Sequence, residues 1–273
     1  MNFSKFKDTF LEYCVIQPKV LTEKTKDLVL IHGFGTDGRS WNFFIKENQN
    51  NRLHILNLPG CGSLKYPINE LGISKIARSV VNYIDNLKTN NVILIGHSLG
   101  ASIVSIAYLY IEDKSKINRI ILMAPYSVYS ISKIINKFFL GNIKTKEHFD
   151  KLQNEIFFDY SKTLEMINKN DSNYYKKTME FFQRNQKYLR ILMIRMTTPY
   201  VFELISKAYK KIDCSFSIML ADNDKFVNND SLLNFFTKNF KEFNFLIYKN
   251  CGHGFFVEQH EKFLNDVNKF INE

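Results

Sequence analysis

The 273-residue sequence predicts an α/β fold: a mostly parallel central β-sheet flanked by helices, with one helical insertion. Three observations lead there. Short Ile, Leu and Val runs alternate with longer stretches of helical periodicity, the pattern of strands that lie between two helical layers. All the buried runs except 117–123 are followed by a Gly- or Asp-rich turn. From residue 126 to 212 the alternation stops and only helical spacing remains.

Strands are expected at 28–32, 53–58, 92–97, 117–123, 215–220 and 243–248, with an antiparallel edge near 10–17. Between them, 69–87 places Ile73, Ile76, Ala77, Val80, Tyr83, Ile84 and Leu87 three or four residues apart, one face of an amphipathic helix. The stretch 99–111 is nearly all apolar or small, which suits a helix buried on several sides. Helices at 231–240 and 258–271 complete the set. The expected organisation is a core domain of residues 1–125 and 213–273, interrupted by an insertion at 126–212 that is too long for a plain connection.

Composition narrows the function classes. With 45% hydrophobic and 23% charged residues the chain can bury a sizeable core. The N-terminus mixes Lys, Asp and Glu among its apolar residues, and no run of about 18 apolar residues occurs, so a soluble, cytoplasmic protein is expected. Cys14, Cys61, Cys214 and Cys251 lack CxxC spacing and are expected to be reduced thiols. The net charge of +10 is concentrated in the insertion, which holds 16 Lys and Arg against 8 Asp and Glu.

The strongest local signal is Gly96-His97-Ser98-Leu99-Gly100, set between a strand and an apolar helix. A serine on so sharp a turn is lifted clear of the sheet, and the following helix aims its N-terminus at developing negative charge. A serine hydroxyl needs a nearby base, and the base needs an orienting carboxylate. Past the insertion, Ala221-Asp222-Asn223-Asp224 follows one strand and Cys251-Gly252-His253-Gly254 follows the next. Asp222 competes with Asp224 for the acid. His54 in mid-strand, His148 in the insertion and His260 in the last helix compete less well for the base. Cys61 is an alternative nucleophile with nothing adjacent in sequence to lower its pKa.

With His32-Gly33-Phe34-Gly35 after the 28–32 strand, the chain resembles the α/β-hydrolase family over almost its whole length. The resemblance implies a catalytic triad of Ser98, Asp224 and His253, with Phe34 and Leu99 supplying the oxyanion-hole N–H groups. It also implies that His32, Gly33, Gly35 and His97 border the substrate, His32 doing so mainly as the anchor of its turn. Leu58-Pro59-Gly60-Cys61-Gly62-Ser63 is similar to a family loop, with Asn57 where an aspartate is usual. Within that family the insertion forms a lid.

The activity so implied is carboxylic ester hydrolysis, of the esterase or lipase type, through an acyl-enzyme and without metal or organic cofactor. Epoxide hydrolases and haloalkane dehalogenases of the family carry Asp in place of Ser98. Carbon–carbon bond hydrolysis, thioester hydrolysis and acyl transfer use the same triad and stay open, as does a non-catalytic binding role. The expected partner is a small-molecule ester or lipid. The basic insertion suggests peripheral contact with anionic lipid, and no nucleic-acid motif is present. Residues 176–196 place Phe182, Leu189, Met193 and Met196 at helical spacing among Lys177, Arg184, Lys187, Arg190 and Arg195. Such a stripe packs on the protein body or, alternatively, docks on a membrane.

Overall fold

A computed structural model describes residues 1–7, 9–47, 50–130 and 143–272. Eight strands form one sheet: β1 (Ser4–Lys5), β2 (Glu12–Ile16), β3 (Asp27–Ile31), β4 (Arg52–Asn57), β5 (Val92–His97), β6 (Ile117–Met123), β7 (Ser215–Ala221) and β8 (Asn244–Tyr248). Their spatial order is β1-β2-β4-β3-β5-β6-β7-β8. The pairings β1–β2 and β2–β4 are antiparallel, and the others are parallel. β3 and β5 are buried at every position, as strands between two helical layers must be.

The helices around the sheet are α1 (Asn42–Glu47), α2 (Ile73–Asp85) and α3 (Leu99–Tyr110), then α4 (Lys146–Ile156), α5 (Tyr160–Asn170), α6 (Tyr174–Met196) and α7 (Pro199–Lys210), and last α8 (Asn229–Asn239), α9 (Phe255–Glu258) and α10 (His260–Asn272). α3 packs against α2 and α7 as well as the sheet, which is why it is apolar all round. Two expected helices are shorter than their patterns. Gly72, extended at ψ 134°, caps α2 and separates it from a 3-10 turn at Ile68–Glu70. At the other end, Gln259 at φ −125° separates the short α9 from α10, so the helix expected at 258–271 begins at His260.

Between β6 and β7 the described residues form four helices, α4 to α7, and no strand. Residues 131–142 of the expected insertion lie outside the described residues. Met179, Phe182, Leu189, Met193 and Met196 of α6 are buried in the protein, while Lys176, Arg184 and Lys187 face solvent. The apolar stripe therefore packs inward. Among the described residues no helix is long and apolar enough to cross a membrane.

The register aligns strand ends. Ile31 pairs with Gly96, His97 with Met123, Met123 with Met219 and Ala221 with Tyr248. The turns after β3, β5, β7 and β8 consequently leave the same edge of the sheet, where ligands collect in open α/β sheets.

Candidate active site

Ser98 lies between the last residue of β5 and the first of α3, at φ 54° and ψ −118°. That conformation is costly for a residue with a Cβ, about 1–3 kcal/mol, and the surroundings enforce it. Ser98 N–H donates to the Met123 carbonyl at 2.8 Å, and the Ser98 carbonyl accepts from Tyr126 N–H at 3.2 Å. The flanking glycines are steric requirements. A Cβ on Gly96 would stand 2.5 Å from the Gly100 carbonyl, and one on Gly100 would stand 2.3 Å from the Ile31 oxygen. α3 can thus seat directly against the end of β3.

Asp224 and His253, 29 residues apart in the chain, meet through a 2.7 Å bond from Nδ1 to Oδ2. The Asp224 side chain is 0% exposed. Its other oxygen accepts Phe226 N–H at 2.7 Å and Val227 N–H at 3.0 Å, so the carboxylate is fixed before it orients the imidazole. With Nδ1–H donated to Asp224, a neutral His253 ring keeps its lone pair on Nε2. The competitor Asp222 instead accepts from Asn223 Nδ2 and, at 3.4 Å, from Cys251 N–H.

His97 packs against His253, with ring centroids 4.7 Å apart, and its Nε2–H donates to the His253 carbonyl at 3.0 Å. Burial, and then the neighbouring His253, hold the His97 pKa well below the ordinary histidine value. It is a neutral ring that supports His253.

Ser98, His253, His97, Phe34 and Gly35 line a single cavity of about 560 Å³. Leu152, Ile156, Phe157, Ile167, Phe181 and Phe182, from the segment between β6 and β7, supply its apolar wall. Leu99, the first residue of α3, follows Ser98 and contributes one of the N–H groups that a helix N-terminus leaves without an intrahelical acceptor.

Two expected substrate neighbours lie elsewhere. His32 is fully buried and off the cavity wall: its Nδ1–H donates to the Gly33 carbonyl at 2.7 Å, and its Nε2 accepts Leu58 N–H at 3.1 Å. Both nitrogens are spent on holding two loops together. Gly33 is also off the wall. It is needed for close approach, since a Cβ there would stand 2.9 Å from His97 Nδ1 and 3.1 Å from Ser98 Cβ.

The other sequence candidates have separate positions. His54 bridges Asp27 and Tyr83 within the core, at 2.7 and 2.8 Å. His148 and His260 lie on α4 and at the start of α10. Cys61 is buried, and desolvation, then the charges of Asp37 and Glu12, push its thiol pKa up, away from thiolate chemistry.

A network that motif spacing does not reveal sits beside the site. Asn57 accepts Gly38 N–H at 2.7 Å and donates through Nδ2 to Glu12 at 3.0 Å. Glu12, only 2% exposed, also accepts from Ser63 N–H, Ser63 Oγ–H and Leu64 N–H at 2.6–3.1 Å. The available signals were a lone acid at the head of an apolar strand and the Asn57 departure from the family loop.

A family profile described as "Alpha/beta hydrolase family" matches residues 28–267, so the chain belongs to the α/β-hydrolase family. Among curated proteins it is similar to one named "Putative esterase/lipase 3" from Mycoplasma genitalium, 24% identical, covering 94% of this chain and 90% of that one. A protein of the same name from Mycoplasma pneumoniae is 23% identical over 89% of this chain and 86% of its own length. Among solved structures, an esterase from Exiguobacterium antarcticum superposes with a TM-score of 0.76, at 14% identity and 96% coverage of both chains. That last likeness is one of fold.

Proposed function

We propose that this chain is a serine hydrolase of carboxylic esters, with Ser98 as nucleophile, His253 as base, Asp224 as its orienting acid and helices α4–α7 as the lid. The observation that carries the reading is the bond from the buried Asp224 side chain to His253, whose ring lines the cavity that a strained Ser98 also lines. Names of relatives that include esterase and lipase support the substrate class.

In this reading Ser98 Oγ attacks the ester carbonyl carbon while His253 Nε2 takes its proton. The N–H groups of Phe34 and Leu99 receive the carbonyl oxygen as it becomes an oxyanion; each such donor contributes about 3 kcal/mol to the transition state. His253 returns the proton to the departing alkoxide, leaving an acyl-serine. It then draws a proton from water, whose oxygen attacks the acyl carbon, and returns that proton to Ser98 Oγ as the bond from Oγ to the acyl carbon breaks and the carboxylic acid leaves. The apolar wall of Leu152, Ile156, Phe157 and Phe181 suits the hydrocarbon part of an ester.

A fluorophosphonate probe should label the wild type and fail to label Ser98→Ala. Hydrolysis of p-nitrophenyl acetate, butyrate and octanoate should vanish with it, and these esters should outrun a matched thioester and a lactone. Labelling that survives Ser98→Ala would remove the nucleophile. Faster thioester or lactone turnover would move the activity to that class, and a wild type inert to every substrate and to the probe would favour a binding role.

A further inference from the structure

One carboxylate ties the loop that carries His253 to a wall of the cavity. Glu258 closes α9, five residues after His253. Its Oε2 accepts Gly252 N–H at 2.7 Å. Its Oε1 accepts Phe158 N–H at 2.7 Å and Asp159 N–H at 3.3 Å. Gly252 immediately precedes His253, and Phe158 immediately follows the cavity-lining Ile156 and Phe157.

Further contacts join the same two segments. Gly254 N–H donates to the Ile156 carbonyl at 3.2 Å, so both neighbours of His253 are bound, directly or through Glu258, to residues 156–159. A Cβ on Gly252 would stand 2.4 Å from the Ile156 oxygen, and one on Gly254 2.3 Å from the Phe157 ring. The fit therefore has little slack. On the acid side, Lys225 follows Asp224, donates to the Asn154 carbonyl at 3.1 Å and pairs with Glu155 at 3.5 Å. Burial raises the Glu258 pKa, against the pull of three amide donors, so this carboxyl gives up part of its hydration to make its contacts. Amide bonds to an ionised carboxylate are roughly twice as strong as neutral ones.

We propose that Glu258 is a positioning residue that couples the wall at residues 156–158 to the His253 loop, so that an ester's apolar part pressing on Ile156 and Phe157 also sets the imidazole against Ser98. The proposal rests on the hydrolase reading above and makes the wall a determinant of turnover as well as of binding. An ester too short to reach the wall draws no benefit from the tie. Gln at 258 keeps one carbonyl acceptor and turns a donor toward the other amide, so it holds one side only.

The test compares Ile156→Ala, Glu258→Gln and the double variant on p-nitrophenyl acetate and octanoate. The octanoate-to-acetate ratio of kcat is expected to fall about tenfold in each single variant, the scale of one charge-assisted bond, with the double no worse than Glu258→Gln. Losses that simply multiply, or an equal loss on both esters in Glu258→Gln, overturn the proposal. Amide hydrogen exchange supplies a readout that needs no turnover. Gly252 and Phe158 should be protected in the wild type and should lose protection together in Glu258→Ala, and retained protection at either one overturns the tie. Should Glu258→Ala fail to fold, the kinetic comparison with Glu258→Gln still decides. A wild type inert toward both esters and the probe would remove the hydrolase reading, while the exchange data would still judge the tie.

Discussion

Three side chains at or beside the site are fixed by their neighbours. The Asp224 side chain has no exposure and has two amide donors besides His253, so its position against the ring is fixed. Asp224→Asn would keep the shape while presenting an amide donor to Nδ1, stabilising the wrong tautomer, and kcat should fall by about 10⁴, as such a change does in serine proteases. Steady-state kinetics against p-nitrophenyl butyrate checks this; retention of a tenth or more of wild-type kcat would reject the assigned role. His32 and His97 are held neutral by burial, with pKa values below the ordinary one. The unfolded chain binds those protons near pH 6.5 and the native state does not, so stability is complete above that pH and declines as pH falls below it. The thermal midpoint should drop on acidification from about pH 7 to 5, and His97→Gln should flatten that slope. An unchanged slope would mean that His97 is not the group responsible.

At the scale of elements, the Asn57–Glu12 pair determines how β2, β4, the Gly38 turn and the Ser63 loop meet. Asn57 must accept from Gly38 N–H and donate to a carboxylate at the same time, which an amide side chain can do and an ionised carboxylate cannot. Asn57→Asp would face one carboxylate with another and should cost about 3 kcal/mol, read as a lower unfolding midpoint. Glu12→Gln in the same chain should restore most of it, because the donor then comes from position 12. No recovery in the double variant would show that the charge clash is not the cause. This pairing explains the Asn57 departure from the family loop, and it was illegible in the sequence for a physical reason: Glu12 and Ser63 lie 51 residues apart and only the folded sheet brings them together. Phe158 and Glu258 are 100 residues apart and equally hidden. By contrast the Gly96–Gly100 turn is local, so its steric demands appear as spacing. Asp224 and His253 could be brought together by strand order because each follows the end of its own strand.

At the scale of the molecule, the sheet was readable because buried parallel strands demand unbroken apolar runs. The direction of the α6 stripe was not. Its periodicity marks one buried face and does not say what covers it, and the structure turns Phe182, Leu189, Met193 and Met196 toward the protein. Adhesion to anionic vesicles is therefore expected to be electrostatic, carried by the +10 net charge and the outward Lys176, Arg184 and Lys187. Raising salt from about 0.05 to 0.5 M should release the protein from phosphatidylglycerol vesicles in a sedimentation assay. Retention at high salt would instead mean that apolar residues enter the bilayer.

The direct pairing of β6 with β7 has a consequence for how such proteins diversify. Because Met123 and Met219 are register partners, the excursion between them starts and finishes on neighbouring rods of the scaffold. Replacement of the part of it that precedes α7 by a shorter or unrelated segment would leave every hydrogen bond of the sheet, and the packing of α7 on α3, in place. Exchange of that module is thus a low-cost evolutionary step, open to any lineage that needs a new substrate preference while keeping the same chemistry.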